Sequence, residues 1–217
     1  MLLFIVSNVA IYIDYDNIYI MLEKYYEKGT DDLRVEIISK IKKKFETDKI
    51  ITFKAFADFS RINNIINRFQ KSQIELRHIY SSKEGRKNAS DIALTIDVIK
   101  SLYVKSNIEK YVIVSSDSDM LPIINELRFH GKEVFVIYSD LNSVNNYDEY
   151  LDEKEYEKIE TLLGVDKYVC ISESVIKNKI QSYLNSINNL INNQYDKHTK
   201  RDKNNKVVTE GTTRAGL

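Results

Sequence analysis

The feature that most constrains the fold is a regular alternation of short apolar runs with segments of helical periodicity. The apolar runs are rich in Val, Ile, Tyr and Phe and lie at residues 9–14, 49–59, 74–82, 111–116 and 132–138. Several are apolar enough to be buried on both faces, which is typical of parallel strands connected by crossover helices. The sequence therefore predicts an α/β fold, a three-layer sandwich with a central, mainly parallel sheet.

The helix boundaries are marked by capping residues, Pro and Gly. A helix over 120–130 has Pro122 in its first turn, where Pro does little harm, and Gly131 directly after its end. A helix over 91–104 has Ser90 as its candidate N-cap. Four apolar residues share one face of this second helix, namely Ile92, Ile96, Ile99 and Tyr103. The same criteria predict helices over residues 18–26, 31–45, 61–71 and 172–191.

The chemical character of the chain changes after Tyr138. Residues 142–164 are acidic and are predicted to be helical. From residue 192 to residue 217 the chain is polar, with few side chains that could pack, and this tail is predicted to be disordered. We therefore expect one α/β domain over 1–164, a helical extension over 165–191, and the tail over 192–217.

The composition excludes several classes of protein. The single cysteine, Cys170, allows neither an internal disulfide nor a cysteine-based zinc site, which fits a reducing cytoplasm. The apolar residues 1–13 are too few to span a bilayer as a helix, and no basic residue precedes them as in a signal peptide. A cytoplasmic protein without a membrane partner is therefore expected. The net charge of zero identifies no partner, although residues 60–87 carry seven basic and two acidic side chains.

Carboxylates follow the ends of two predicted strands and the start of one helix. Asp14 ends the first strand, Asp117 follows the fourth, and Asp91 lies in the first turn of the helix that leads to the fourth. If the first and fourth strands are neighbours, all three side chains lie at one edge of the sheet, where α/β proteins bind ligands. Clustered carboxylates repel one another, and a hard dication holds them ionised. Ligands that are all oxygen suit Mg²⁺ or Mn²⁺ rather than zinc.

Neighbouring acidic residues have structural alternatives to a role in this site. Asp16 is at least as good a candidate for a helix cap as for a metal ligand, and either Ser118 or Asp119 could cap the helix at 120–130. Asp97 lies about 120° from Asp91 around an ideal helix, so it either reaches the site less directly or binds a lysine. A basic surface from 60–87 would hold a polyanionic strand, and its candidate substrate-binding residues are Lys83, Arg86 and Lys87.

Three stretches of the sequence together resemble a known family. They are VAIYIDYDN, then KNASDIALTIDVI, then YVIVSSDSDMLPIINELRFHGKEVFVIY, and they extend from Val9 to Tyr138. In this order they resemble the NYN domain family, a branch of the PIN-like nucleases that includes the LabA-like proteins. The resemblance implies a PIN-like (Rossmann-like) sandwich and a ribonuclease site that depends on Mg²⁺ or Mn²⁺.

The resemblance also implies roles for individual residues by their position in the motifs. Catalytic roles fall on Asp14, Asp91 and Asp117, and the metal ligands would be these three together with Asp119. Supporting roles fall on Asn17, Asp97 and Ser116.

The main functional hypothesis is a metal-dependent ribonuclease that hydrolyses phosphodiester bonds of single-stranded or structured RNA. DNA stays open as a substrate, since nothing in the sequence obviously reads a 2′-hydroxyl. One alternative is a phosphatase like the haloacid dehalogenases, with Asp14 as nucleophile and Asp16 as acid and base. Another is a non-catalytic RNA-binding module. The helix at 172–191 is a candidate for pairing two subunits in a homodimer.

Overall fold

The computed structural model describes most of the chain up to residue 164 and a few residues beyond it. Those residues are 6–25, 30–62, 66–80, 89–139 and 147–164, with helical positions 180, 181, 184, 185 and 187. The chain divides into two compact units, Met1–Ile171 and Ser172–Leu217. The predicted tail over 192–217 and most of the predicted extension lie outside the described residues. Within the described residues, no helix is long and apolar enough to cross a membrane.

The first unit contains a six-stranded sheet in the order β3-β2-β1-β4-β5-β6, and every pair of neighbouring strands in it is parallel. The strands are β1 Asn8–Asp14, β2 Lys49–Ala57, β3 Glu75–His78, β4 Lys110–Val114, β5 Glu133–Tyr138 and β6 Tyr156–Lys158. The prediction that the first and fourth strands are neighbours is confirmed, with Ile13 opposite Val114. The chain builds β1 to β3 in one direction and β4 to β6 in the other, so the topological switch point lies between β1 and β4.

Helices cover both faces of the sheet. They are α1 Tyr15–Tyr25, α2 Thr30–Lys44, α3 Ile66–Lys71, α4 Ala89–Val104, α5 Leu121–Phe129 and α6 Ile159–Leu163. Alternate side chains of β1 enter two separate cores, as the period of a strand requires. Ile11 and Ile13 pack in the core that α1 and α2 complete, whereas Tyr12 packs in the core with α4 and α5. The predicted three-layer α/β sandwich is therefore confirmed.

The first helix begins earlier than predicted. It starts at Tyr15, directly after β1, rather than at residue 18. Asp14 takes the position of an N-cap, because its Oδ1 accepts a hydrogen bond of 3.2 Å from the main-chain N–H of Asn17. One residue therefore ends the strand and starts the helix.

The buried face of α4 differs from the predicted one. The helix begins at Ala89, so Ser90 lies inside its first turn and is not the N-cap. Leu94 and its neighbours one and two turns on are buried, whereas Ile92 and Ile96 are 59% and 48% exposed. Apolar residues repeat at helical spacing on two sides of this helix, so periodicity alone does not select the side that faces the sheet.

The prediction of a helix over 142–164 is wrong for the part that the structure describes. Residues 147–164 form two short 3₁₀ turns, then β6 and then α6. A capping box starts the second of these turns, where the carboxylate of Glu155 accepts the N–H of the N-cap residue Asp152 at 2.9 Å. The sheet therefore has a sixth strand, which was not predicted because this segment is acidic and lacks an apolar run.

The two apolar sides of α4 should differ sharply in their contribution to stability. Leu94→Ala empties a fully buried site and should lower the free energy of unfolding by about 2–5 kcal/mol. Ile96→Ala removes a half-exposed side chain from the same helix and should cost less than about 1 kcal/mol. Urea denaturation of both variants measures the difference, and equal losses would show that the helix is oriented differently.

Candidate active site

Two carboxyl groups contact each other at the topological switch point. Asp14, the last residue of β1, is only 1% exposed. The first turn of α4 lies at the same edge of the sheet and carries Asp91, whose carboxyl group forms a hydrogen bond with that of Asp14. The structure thus brings together two of the three predicted catalytic residues in direct contact.

The electrostatics of this pair are unfavourable for two anions. Burial, followed by the charge and hydrogen bond of Asp91, raises the pKa of Asp14 well above its usual range. Burial also raises the pKa of Asp91, and the nearby charges of Asp117, Asp119 and Asp16 add to the effect. The two carboxyl groups therefore tend to keep a proton between them, and a bound cation would reduce the repulsion between their charged forms.

Asp117 joins this pair through Ser115. The Ser115 hydroxyl donates to Oδ2 of Asp14 at 3.1 Å and accepts the N–H of Asp117 at 3.1 Å. Ser115 is fully buried and is not among the site residues predicted from the sequence. Its only signal in the sequence is its place at the end of the apolar strand, two residues before Asp117.

Asp117 also has a structural role at the start of the turn that precedes α5. Its Oδ1 accepts the N–H of Asp119 at 3.0 Å, so Asp117 caps the 3₁₀ turn at Ser118–Met120. The N-cap position of α5 itself is taken by Met120 without a side-chain hydrogen bond, so neither Ser118 nor Asp119, the two predicted alternatives, caps this helix. Asp119 is exposed, and it lies close enough to Asp91 to affect its titration.

The two predicted supporting residues next to the pair connect three strand ends. Oδ1 of Asn17 accepts the N–H of Ser116 at 3.1 Å, which links the start of α1 to the end of β4. The Ser116 hydroxyl accepts the N–H of Ser139 at 2.8 Å, which extends the link to the end of β5. The hydroxyl of Ser139 in turn donates to the buried carboxylate of Glu160 in α6.

Asp97, the third predicted supporting residue, is engaged elsewhere. Its Oδ2 lies 2.6 Å from Nζ of Lys54, a lysine on β2 that is 8% exposed. Of the two alternatives for Asp97, the structure shows the ion pair with a lysine, and the reason is that a buried ammonium group needs a counter-charge. Asp16, whose role was left open, accepts the N–H of Asp58 at 3.1 Å through both carboxylate oxygens.

The predicted substrate-binding residues cannot be placed in the site. Lys83, Arg86 and Lys87 all lie outside the described residues.

Tyr147, a second residue not predicted from the sequence, contacts the site from the 3₁₀ turn at Tyr147–Glu149. Tyr147 is 1% exposed, and its hydroxyl donates to the main-chain carbonyl of Asp117. Its contact crosses 30 positions of the chain, and no local pattern in the sequence marks it.

The carboxylates of the site form a donor set of oxygens only. Across the described ranges, no three His, Cys, Asp or Glu side chains form a group ready to hold a metal. Mg²⁺, however, is usually held by one or two carboxylates and completes its shell with water and substrate phosphates. The contacting carboxyl groups of Asp14 and Asp91 supply such a pair, and their raised pKa values are those that a cation would lower. The residues therefore fit Mg²⁺ or Mn²⁺.

Comparison with known proteins agrees with the arrangement of the fold and its site. The model of the NYN domain family matches residues 8–154. The chain belongs to the NYN domain family. NYN domains belong to the PIN-like nuclease superfamily, and this membership supports a nuclease role in general. It also confirms the resemblance seen in the sequence motifs.

Solved structures share the fold. One of them is the crystal structure of a protein of unknown function, VPA0982, from Vibrio parahaemolyticus, with a TM-score of 0.56 and 15% sequence identity. The similarity covers 75% of this chain and 98% of that one. At this level of identity the similarity establishes the fold alone, and it agrees with a PIN-like sandwich. No curated protein matches the sequence significantly.

The buried carboxyl group of Asp14 should make stability depend on pH when metal is absent. Because folding raises the pKa of Asp14, the folded protein loses stability relative to the unfolded chain as the pH rises above about 4. Asp14→Asn removes this titration and keeps the cap, since Asn and Asp cap helices equally well. In chelator, the variant should unfold at a higher temperature than wild type at about pH 7, and the difference should shrink towards about pH 4. A variant that is less stable than wild type at neutral pH would contradict the account.

Proposed function

We propose that this NYN-family protein is a nuclease that hydrolyses RNA phosphodiester bonds with Mg²⁺ or Mn²⁺ held by Asp14 and Asp91. The observation that carries the proposal is the contact between the buried carboxyl group of Asp14 and the half-buried one of Asp91, at the switch point of a parallel sheet. Holding a buried carboxyl group against a second one is costly unless a cation or a proton offsets their repulsion. A divalent ion does so and at the same time supplies chemistry suited to phosphodiesters.

Each residue of the cluster has a distinct part in this proposal. Asp14 and Asp91 hold the ion, which when bound would polarise the phosphodiester and acidify the attacking water. Asp117 is half-buried and close to the pair, and its carboxylate is placed to orient water or a further ligand. Ser115 and Asn17 hold the carboxylate of Asp14, and the Ser115 hydroxyl also accepts the main-chain N–H of Asp117.

Two other functions receive less support from the same residues. A module that only binds RNA gains nothing from a negative cluster facing phosphates, which would repel it. A phosphatase of the haloacid dehalogenase type needs Asp16 as acid and base, yet both oxygens of Asp16 accept the main-chain N–H of Asp58. Membership of the NYN family also favours the nuclease. RNA, rather than DNA, is proposed from the family resemblance, and a DNA substrate tests it.

Cleavage of a labelled RNA of mixed sequence, with a matched DNA, tests the proposal. Wild type should cut RNA with Mn²⁺ or Mg²⁺ and should not cut it in chelator. Asp91→Asn and Asp117→Asn should each lower the cleavage rate about 100-fold or more, since changes to outer-shell residues already cost about 10–100-fold. RNA binding should be kept or tightened, because each change removes a negative charge.

Asp48→Asn is the matched control. Asp48 directly precedes β2 and so lies at the opposite edge of the parallel sheet, where its carboxylate accepts the N–H of Ser7 at 3.4 Å. This variant should cut RNA as wild type does. Cleavage that survives chelator, or that persists in Asp91→Asn, would overturn the proposal, and stronger cutting of DNA would overturn its choice of substrate.

A further inference from the structure

The Asp117 main chain is held at both of its polar groups. Its N–H donates to the Ser115 hydroxyl at 3.1 Å, and its carbonyl accepts the N–H of Met120 at 3.2 Å. The hydroxyl of Tyr147 donates to the same carbonyl. Of these three contacts, only the one from Tyr147 comes from outside the β4–α5 connection.

The direction of the Asp117 carboxylate depends on this main-chain geometry. Asp117 has an extended conformation (φ −92°, ψ 125°) between the end of β4 and the turn at Ser118–Met120. A main chain that can shift at this junction would move the Cα and with it the Cβ, and a catalytic group displaced by about 1 Å can cost about 100-fold in rate. A hydroxyl that fixes the carbonyl therefore fixes the carboxylate as well.

The Tyr147 hydroxyl is suited to this task because its side chain is buried and it approaches the carbonyl from outside the connection that it holds. A phenol hydroxyl is an uncharged donor, so this contact adds no negative charge beside the carboxylates.

We propose that Tyr147 is a positioning residue of the active site. It acts through the Asp117 main chain on the Asp117 carboxylate, which lies near the pair formed by Asp14 and Asp91. This inference rests on the proposed nuclease function. It gives the segment after the sequence motifs a part in the site, since Tyr147 lies nine residues beyond the last of them, which ends at Tyr138.

The neighbouring tyrosine supplies a matched control. The rings of Tyr147 and Tyr138 contact each other with centroids 5.0 Å apart, and both side chains are buried. The hydroxyl of Tyr138 donates to Asp148 instead of to the site. Replacing either tyrosine by Phe removes one hydroxyl from the same ring pair and keeps the packing of the ring.

The test compares wild type, Tyr147→Phe and Tyr138→Phe in four measurements. These are the Mn²⁺ concentration for half-maximal RNA cleavage, the rate at saturating Mn²⁺, Mn²⁺ affinity by calorimetry, and RNA affinity in chelator. All are made at a temperature where thermal unfolding shows each protein to be folded. Tyr147→Phe should raise the half-maximal Mn²⁺ concentration and the Mn²⁺ dissociation constant about 10-fold. The cleavage rate at saturating Mn²⁺ should fall by less, and RNA affinity should not change. Tyr138→Phe should match wild type in all four.

The outcomes separate this inference from the proposed function. Wild type that cuts RNA with Mn²⁺, beside a Tyr147→Phe variant with an unchanged Mn²⁺ response, overturns the positioning role and leaves the nuclease intact. An equal loss of Mn²⁺ affinity in Tyr147→Phe and Tyr138→Phe also overturns the positioning role, because the loss would then come from the ring pair as a whole. Wild type that neither binds Mn²⁺ nor cuts RNA overturns the proposed function, and the positioning role with it.

Discussion

The contact between the carboxyl groups of Asp14 and Asp91 is the constraint on which the rest of the site depends. It joins the end of β1 to the start of α4, and therefore joins the sheet to the helix that leads into β4. Burial of such a contact is unfavourable and must be offset by hydrogen bonds, by protons or by a cation. The surrounding donors, the hydroxyl of Ser115 and the N–H of Asn17, offset part of that cost.

The site is built from residues that also define the ends of the secondary structure. Asp14 caps α1, and Asp117 caps the turn that leads into α5. Ser116 and Asn17 connect β1, β4 and β5 at their carboxyl ends. Some of the hydrogen bonds at the carboxyl ends of the strands therefore also hold the carboxylates of Asp14 and Asp117.

The sequence was sufficient for those parts of the structure that local patterns encode. Apolar runs gave the parallel sheet, and the position of Asp14, Asp91 and Asp117 at the ends of elements predicted that they would meet. Two apolar sides of α4 fit helical spacing equally well, and the packing that selects one of them is a tertiary effect. The sixth strand and the contact of Tyr147 depend on partners far along the chain, and no periodicity within a short window records such pairing.

The central claim is that Asp14 and Asp91 hold a divalent ion, and the most direct test is to locate that ion. Crystals of the wild-type protein would be soaked in Mn²⁺ and an anomalous difference map calculated at the manganese absorption edge. The account predicts a peak within about 2.0–2.5 Å of oxygens from both carboxylates, at the ligand distances of hard cations. A map without a peak at this pair, or with manganese only at other carboxylates, would contradict it and would leave the pair joined by a shared proton.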